Sequence, residues 1–332
     1  MSHPGEAQRS ASEPTRPPRV RRPEIVRDHS ILLSLLVLVL WLSMSTDAFL
    51  TGTNLVNLLD QVAVPGLLAC AATLCLVCGL FDLSMSAVLA LSAVTSVLVT
   101  GRFGILWGAC AGILAGALCG LVNGAVVIRV RVHSFIGTLA LGFVYRGLAL
   151  ILTAGAIVYP QSRQLPRFQF LARPVLPAGV TPASVLFLLV AAALWLLLAG
   201  TTFGRRVYAV GGNAEAARLS GIRVGAVRVA VLVLSSVCAA LAGLVLASRG
   251  GSAQADMGSL LELSAIAAAV VGGTSVLGGQ GALWRGLVGI AILTLIGNGF
   301  NLLGFDTTYQ QVLEGLLILG AVSVDQSLRR RD

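Results

Sequence analysis

Residues 104–128 read GILWGACAGILAGALCGLVNGAVVI, a stretch without a single charged side chain. At a rise of about 1.5 Å per residue a helix of this length is about 37 Å long, enough to cross the roughly 30 Å hydrocarbon core of a bilayer. A helix that is apolar on every side must be buried all round or face lipid. Working outward, runs that meet or approach the same requirement lie at 31–50, 62–80, 83–100, 134–153, 184–200, 226–248, 260–278, 284–304 and 309–325. The fold expected is all-α, a polytopic transmembrane helix bundle of about ten spans with both termini cytoplasmic. Glycines interrupt 260–304 and leave room there for re-entrant pieces. The composition agrees. The chain of 332 residues is 56% hydrophobic and 11% charged, with a mean hydropathy of +0.90, whereas soluble domains carry about 25% charged residues. Its 38 glycines suit membrane helices whose backbones approach closely.

All 23 basic residues are Arg. A phosphate-cradling P-loop needs a Lys to reach the phosphates, so ATP-driven work by this chain requires a partner. The net charge of +9 sits mainly in tails and loops, which fits membrane orientation and not nucleic acid. Residues 1–30, rich in Pro and Arg, are expected to form a disordered cytoplasmic tail ahead of a transmembrane domain over 31–328. No convincing small-residue cleavage site follows the first apolar run, so it reads as an uncleaved anchor. The N-tail, Arg129, Arg131, the cluster Arg205, Arg206, Arg218, Arg223 and Arg228, then Arg285 and Arg329 to Arg331 all fall on the expected cytoplasmic side. Arg102, Arg163, Arg167, Arg173 and Arg249 fall outside.

The six Cys lie in apolar runs and read as small buried hydrophobes; the Cys75–Cys78 pair has no flanking His and no second pair. His3, His29 and His133 are scattered. With no nucleophile–base set, metal spacing or nucleotide loop, the sequence points away from an enzyme and from a bound metal or cofactor.

The loop between the sixth and seventh runs, over 202–225, is the most informative. It contains Gly211-Gly-Asn-Ala-Glu-Ala-Ala-Arg-Leu-Ser-Gly-Ile222. Asn213 is a good N-cap, Glu215 falls in the first turn where the helix dipole favours an acid, and Gly221 is placed to end the helix. The expectation is a helix of about two turns, exposed to the cytoplasm and too short to be stable alone. By itself the segment reads equally well as a positive-inside loop with an incidental helix.

Glu215-Ala216-Ala217, three residues, then Gly221 resembles the EAA coupling segment of ABC importer permeases. The likeness extends to Ala265-Ile-Ala-Ala-Ala-Val-Val-Gly-Gly-Thr-Ser-Val-Leu-Gly-Gly-Gln-Gly281, Gly297-Asn-Gly-Phe-Asn-Leu-Leu-Gly304, Asp82-Leu-Ser84, Asn123-Gly124, Ser134-Phe-Ile136 and Arg146-Gly-Leu-Ala-Leu150. Over roughly residues 50–328 the chain is similar to the ribose-type sugar permease branch of these importers. It departs from the family pattern at Leu80-Phe81, Ser86, His133 and Ser264.

The resemblance implies a permease subunit in a bacterial inner membrane, moving a monosaccharide or sugar-like solute. The implied partners are an ABC ATPase subunit holding ATP and Mg, an extracytoplasmic solute-binding protein and a second permease copy, identical or not. Gly211, Gly212, Asn213, Glu215, Ala216, Ala217, Arg218 and Gly221 are then the ATPase-coupling positions, with Arg218 as a charge contact. Other cargo (a branched-chain amino acid, a nucleoside, a signalling furanone) fits the same architecture. An ion-coupled secondary transporter is the rival class, although neither an inverted repeat nor a convincing proton relay is visible.

Polar groups inside apolar runs must be paired or face a cavity. Asp82, Asn123, Arg146, Asn298 and Asn301 are the translocation-path candidates. Four of them have a structural alternative: a helix cap for Asp82, a buried pairing for Arg146, helix–helix binding for Asn298 and Asn301, which share a face three residues apart. Asp60 and Gln61 read as membrane-edge residues, while Glu262, Gln310 and Gln311 complete the set.

Overall fold

The computed structural model describes residues 22–173 and 176–305, with Val312, Gly315 and Leu316 beyond them. The helices are α1 (Arg22–Ser45), α2 (Gly52–Val77), α3 (Met85–Phe103), α4 (Ile105–Arg129), α5 (Ser134–Thr153), α6 (Leu165–Phe168), α7 (Pro182–Gly200), α8 (Thr202–Gly212), α9 (Ala214–Leu219), α10 (Val224–Gly250), α11 (Leu261–Val271) and α12 (Leu283–Leu302). Seven of them, α2, α3, α4, α5, α7, α10 and α12, are long and apolar enough to cross a bilayer. Two more apolar helices are shorter: the Ile31–Ser45 part of α1, and α11. The tenth expected run, 309–325, lies outside the described residues apart from the three named.

Two boundaries differ from expectation. Helix α1 begins at Arg22, so residues 22–30, where composition suggests a disordered tail, are helical; residues 1–21 lie outside the described set. Helix α11 has 11 residues, about 16 Å, half the bilayer core and not the full span expected over 260–278. The chain enters it late, through Leu260 at φ 68°, and leaves at Gly272-Gly273 into an irregular turn that lasts to Ala282. The apolar composition runs on past the helix and hides its end.

Helix α2 threads the centre, with every residue from Gly66 to Cys78 buried. Helices α7, α10, α11 and α12 pack around it, while α3, α4 and α10 form a second tight group. Helix α4 carries Gly108, Gly112, Gly116, Gly120 and Gly124, one every four residues and so on one face. That stripe lies directly on backbone. A methyl at Gly116 would sit 2.5 Å from the Ala240 Cβ and 2.8 Å from the Ser236 carbonyl, and one at Gly120 would sit 2.6 Å from the Val233 Cα. Small residues here let α4 approach α10 as membrane packing requires.

Outward, α4, α5 and α7 expose long apolar faces; Phe143 is 71% and Ile151 76% exposed. Continuous apolar surface of this kind is tolerated against lipid or another protein, not water. Five of the six cysteines are buried as expected, whereas Cys110 is exposed on α4.

One end of the bundle is tied by polar contacts. Arg249 at the end of α10 pairs with the Asp60 carboxylate at 2.9 Å, Thr181 ahead of α7 donates to the other Asp60 oxygen at 2.7 Å, and Ser248 donates to the Phe168 carbonyl at 2.9 Å. Helices α8 and α9 lie at the opposite end, between the far ends of α7 and α10.

Candidate coupling site and polar core

Helix α9 is six residues long, close to the two turns expected. Asn213 is extended (φ −156°, ψ 101°), and its Oδ1 accepts the Ala216 N–H at 2.9 Å, the N-cap read from sequence. At the other end Gly221 adopts φ 82°. Its N–H donates to the Arg218 carbonyl and the Ile222 N–H to the Ala217 carbonyl, both at 3.0 Å, the paired bonds of a Schellman cap. The left-handed backbone is why glycine stands there. Ala217 points inward, while Glu215, Ala216, Arg218 and Leu219 are exposed, Leu219 at 77%. Arg218 is directed at its own neighbour: two hydrogen bonds of 2.6 and 3.1 Å run from its guanidinium to the Glu215 carboxylate. The guanidinium lowers the Glu215 pKa, and the carboxylate raises that of Arg218.

The base of this segment is unusually bare. Thr201 caps α8, which buries Gly204, Val207 and Val210 and exposes Arg205 and Arg206. Its last two residues, Gly211 and Gly212, lie on backbone from two other places. The Gly279 N–H, in the turn after α11, donates to the Val77 carbonyl at the end of α2 at 2.9 Å. A methyl at Gly211 would run into that same carbonyl and lie 2.7 Å from the Gly279 nitrogen. One at Gly279 would lie 2.5 Å from the Gly212 Cα. Beside this junction the Tyr208 hydroxyl donates to the Gly281 carbonyl at 2.8 Å.

From Gly79 the chain turns (φ 72°) into an irregular stretch that ends at Ser84, where α3 begins. Unpaired backbone inside a bilayer costs several kcal/mol per group, so side chains must meet it. Helix α5 supplies two: Ser134 Oγ accepts the Phe81 N–H at 3.1 Å and Thr138 Oγ1 the Leu83 N–H at 3.0 Å. Asp82, buried, accepts the Ser84 N–H (3.0 Å) and Ser84 hydroxyl (2.6 Å) on one oxygen and the Ser235 hydroxyl of α10 (2.7 Å) on the other. Asn123 of α4 donates to Ser84 Oγ at 2.8 Å and accepts from the Tyr145 hydroxyl of α5 at 2.9 Å. Asp82 and Asn123 therefore belong to one network joining the break to α4, α5 and α10.

The remaining path candidates stand apart. Arg146, half-buried, donates to Ser259 Oγ at 2.6 Å and Ser86 Oγ at 3.2 Å, bridging α5 to α3 and to the connector before α11. Asn298 forms a reciprocal amide pair with Asn54 of α2, at 2.9 and 3.2 Å. Asn301 is exposed in the last turn of α12, one turn beyond the buried Asn298. Gln310 and Gln311 lie outside the described residues. The structure adds Asn54, Ser235, Tyr145, Tyr208 and Gly279, each of which works through a partner far away in sequence.

A family model described as branched-chain amino acid transport system / permease component matches residues 54–322. The chain is 42% identical to the ribose import permease protein RbsC of Bacillus subtilis (strain 168) over 296 residues, 89% of this chain and 91% of the relative. The RbsC of Escherichia coli (strain K12) is 37% identical over 299 residues, covering 89% and 92%. The L-arabinose transport system permease protein AraH of the same strain is 37% identical over 299 residues, 90% of each chain.

Proposed function

The chain belongs to the branched-chain amino acid transport system / permease component family, and from that premise we propose that it is the transmembrane permease subunit of an ATP-driven ABC importer for a monosaccharide or sugar-like solute. The likeness to ribose and arabinose permeases along nine-tenths of the chain carries this reading. It also favours a sugar over a branched-chain amino acid despite the family's title. The bundle sits in a bacterial inner membrane with ten spans, counting α1, the half-length α11 and the run at 309–325. Both termini and the 202–225 loop are cytoplasmic. The partners are an ABC ATPase that holds ATP and Mg, an extracytoplasmic solute-binding protein, and a second permease copy, identical or not.

In this reading the ATPase docks on α9. Closure of its nucleotide-bound dimer moves Asn213 to Gly221 as one capped unit, with Gly211 and Gly212 at its root, and the bundle exchanges two packed states. Arg146, half-buried and hydrogen-bonded to two hydroxyls, is the residue placed to meet solute hydroxyls. Asp82, Asn123 and Asn298 hold the helices that flank the path.

The test is ATP-driven uptake of ribose and arabinose by the purified complex in vesicles with its binding protein. Uptake should require ATP, and Gly221→Pro should abolish it while the ATPase still co-purifies, because proline cannot adopt φ 82°. Uptake without ATP, driven by an ion gradient, would establish the secondary-transporter class instead.

A further inference from the structure

Helix α9 has two connections to the membrane spans, and they are built differently. Its C-terminal exit runs through Gly221, which is left-handed and has open space around it, to α10. Its N-terminal exit runs through Gly212 to Gly211, which lies on backbone of the α2 end and the α11–α12 turn; no Cβ fits at Gly211 or at the facing Gly279. Two hydrogen bonds lock that side, Gly279 N–H to Val77 O at 2.9 Å and Tyr208 hydroxyl to Gly281 O at 2.8 Å. Both elements it touches lead into irregular stretches: α2 into the Gly79–Ser84 break, and the glycine turn back to the half-length α11. At the other end of α11, Ser259 is held by Arg146 at 2.6 Å.

We propose that the push of the ATPase is transmitted not along the chain into α10 but backward, through the Gly211–Gly279–Val77 junction, so that α11 and the end of α2 move with the motor while α10 follows loosely. Tyr208 and Gly279 are then positioning residues of transport, acting through the α11–α12 turn. Close-packed backbone passes a displacement on, since it has no side-chain rotamers to absorb it, whereas the open space around the Gly221 exit gives a displacement nothing to push against. The proposal rests on the permease reading above.

The test compares single-glycine insertions on the two sides of α9 in the purified complex with its ATPase and binding protein, reading solute moved per ATP hydrolysed. Insertion between Gly212 and Asn213 should lower that ratio about tenfold, and insertion between Ile222 and Arg223 should change it less than about twofold. Tyr208→Phe, which removes one hydroxyl without altering size, provides the milder arm. It should reduce uptake about fivefold with ATP hydrolysis preserved, so that the ratio falls, whereas a merely structural loss would lower both together. Equal effects of the two insertions, a larger effect on the α10 side, or an unchanged ratio in Tyr208→Phe would overturn the junction and leave the permease reading standing. A parent complex that moves solute without ATP would remove the permease reading itself.

Discussion

Two stretches of this bundle abandon helix within the membrane domain, and they are stabilised in opposite ways. The first, Gly79–Ser84 between α2 and α3, is held by side chains: its own Asp82, and Ser134, Thr138, Asn123 and Ser235, which reach in from three other helices. The second, from Gly272 to Ala282 between α11 and α12, is held largely by absence of side chains, with Gly273, Gly278, Gly279 and Gly281 at positive φ. Polar crosslinks make the first a fixed post. Bare backbone makes the second a close-fitting contact with no side chains between it and its neighbours. The break nearest the coupling segment is the one built from glycine.

The comparison predicts that the first break fails by subtraction and the second by addition. Asp82→Ala should have the largest effect, because it strands the Ser84 N–H and hydroxyl and the Ser235 hydroxyl in a dry core. The expected loss is about 3 kcal/mol, seen as a lower melting temperature in detergent. A melting temperature equal to the parent's would mean that Asp82 is not holding the post. At the second break, Gly279→Ala adds a methyl against Gly212 and forces an alanine to φ 73°. That should cost about 2 kcal/mol, with a disproportionate loss of uptake. Full transport activity in this variant would dissolve the contrast.

Tyr145→Phe removes one hydroxyl from the edge of the first network. About 1 kcal/mol is expected, and ATP consumed per solute should not change, which separates a post from a transmitter. The smallest effect belongs to Arg218→Ala on the exposed α9 surface. Its pairing lowers the Glu215 pKa, so it contributes only above the carboxyl's unfolded-state pKa, and the contribution disappears as pH falls through the folded one. The variant should shift the Glu215 carboxyl titration upward, read by carbon NMR, with melting unchanged at neutral pH because the pair is solvent-exposed.

How much of this was legible in the sequence depended on range. The caps of α9 were visible because Asn213 and Gly221 act within three or four residues of themselves. The spans were visible because lipid demands long apolar runs. The Asn54–Asn298 pair was not, since 244 residues separate its members and an isolated Asn in an apolar run has many possible partners. Spacing of three puts Asn301 on the face of Asn298, but it did not show that Asn298 is buried against Asn54 while Asn301 is exposed in the final turn. The half-length of α11 was concealed because valine, threonine and leucine after residue 270 keep the composition apolar while glycine φ angles decide the backbone. The four-residue glycine spacing in α4 was in plain view too, and it marks the face that packs on α10.

Because five thiols are enclosed and Cys110 alone is accessible, the native chain carries a single attachment point for a maleimide dye on the outer side of α4. A fluorophore there reports its surroundings without any engineered change: quenching by brominated acyl chains would identify a lipid neighbour, and protection in the assembled complex a protein one.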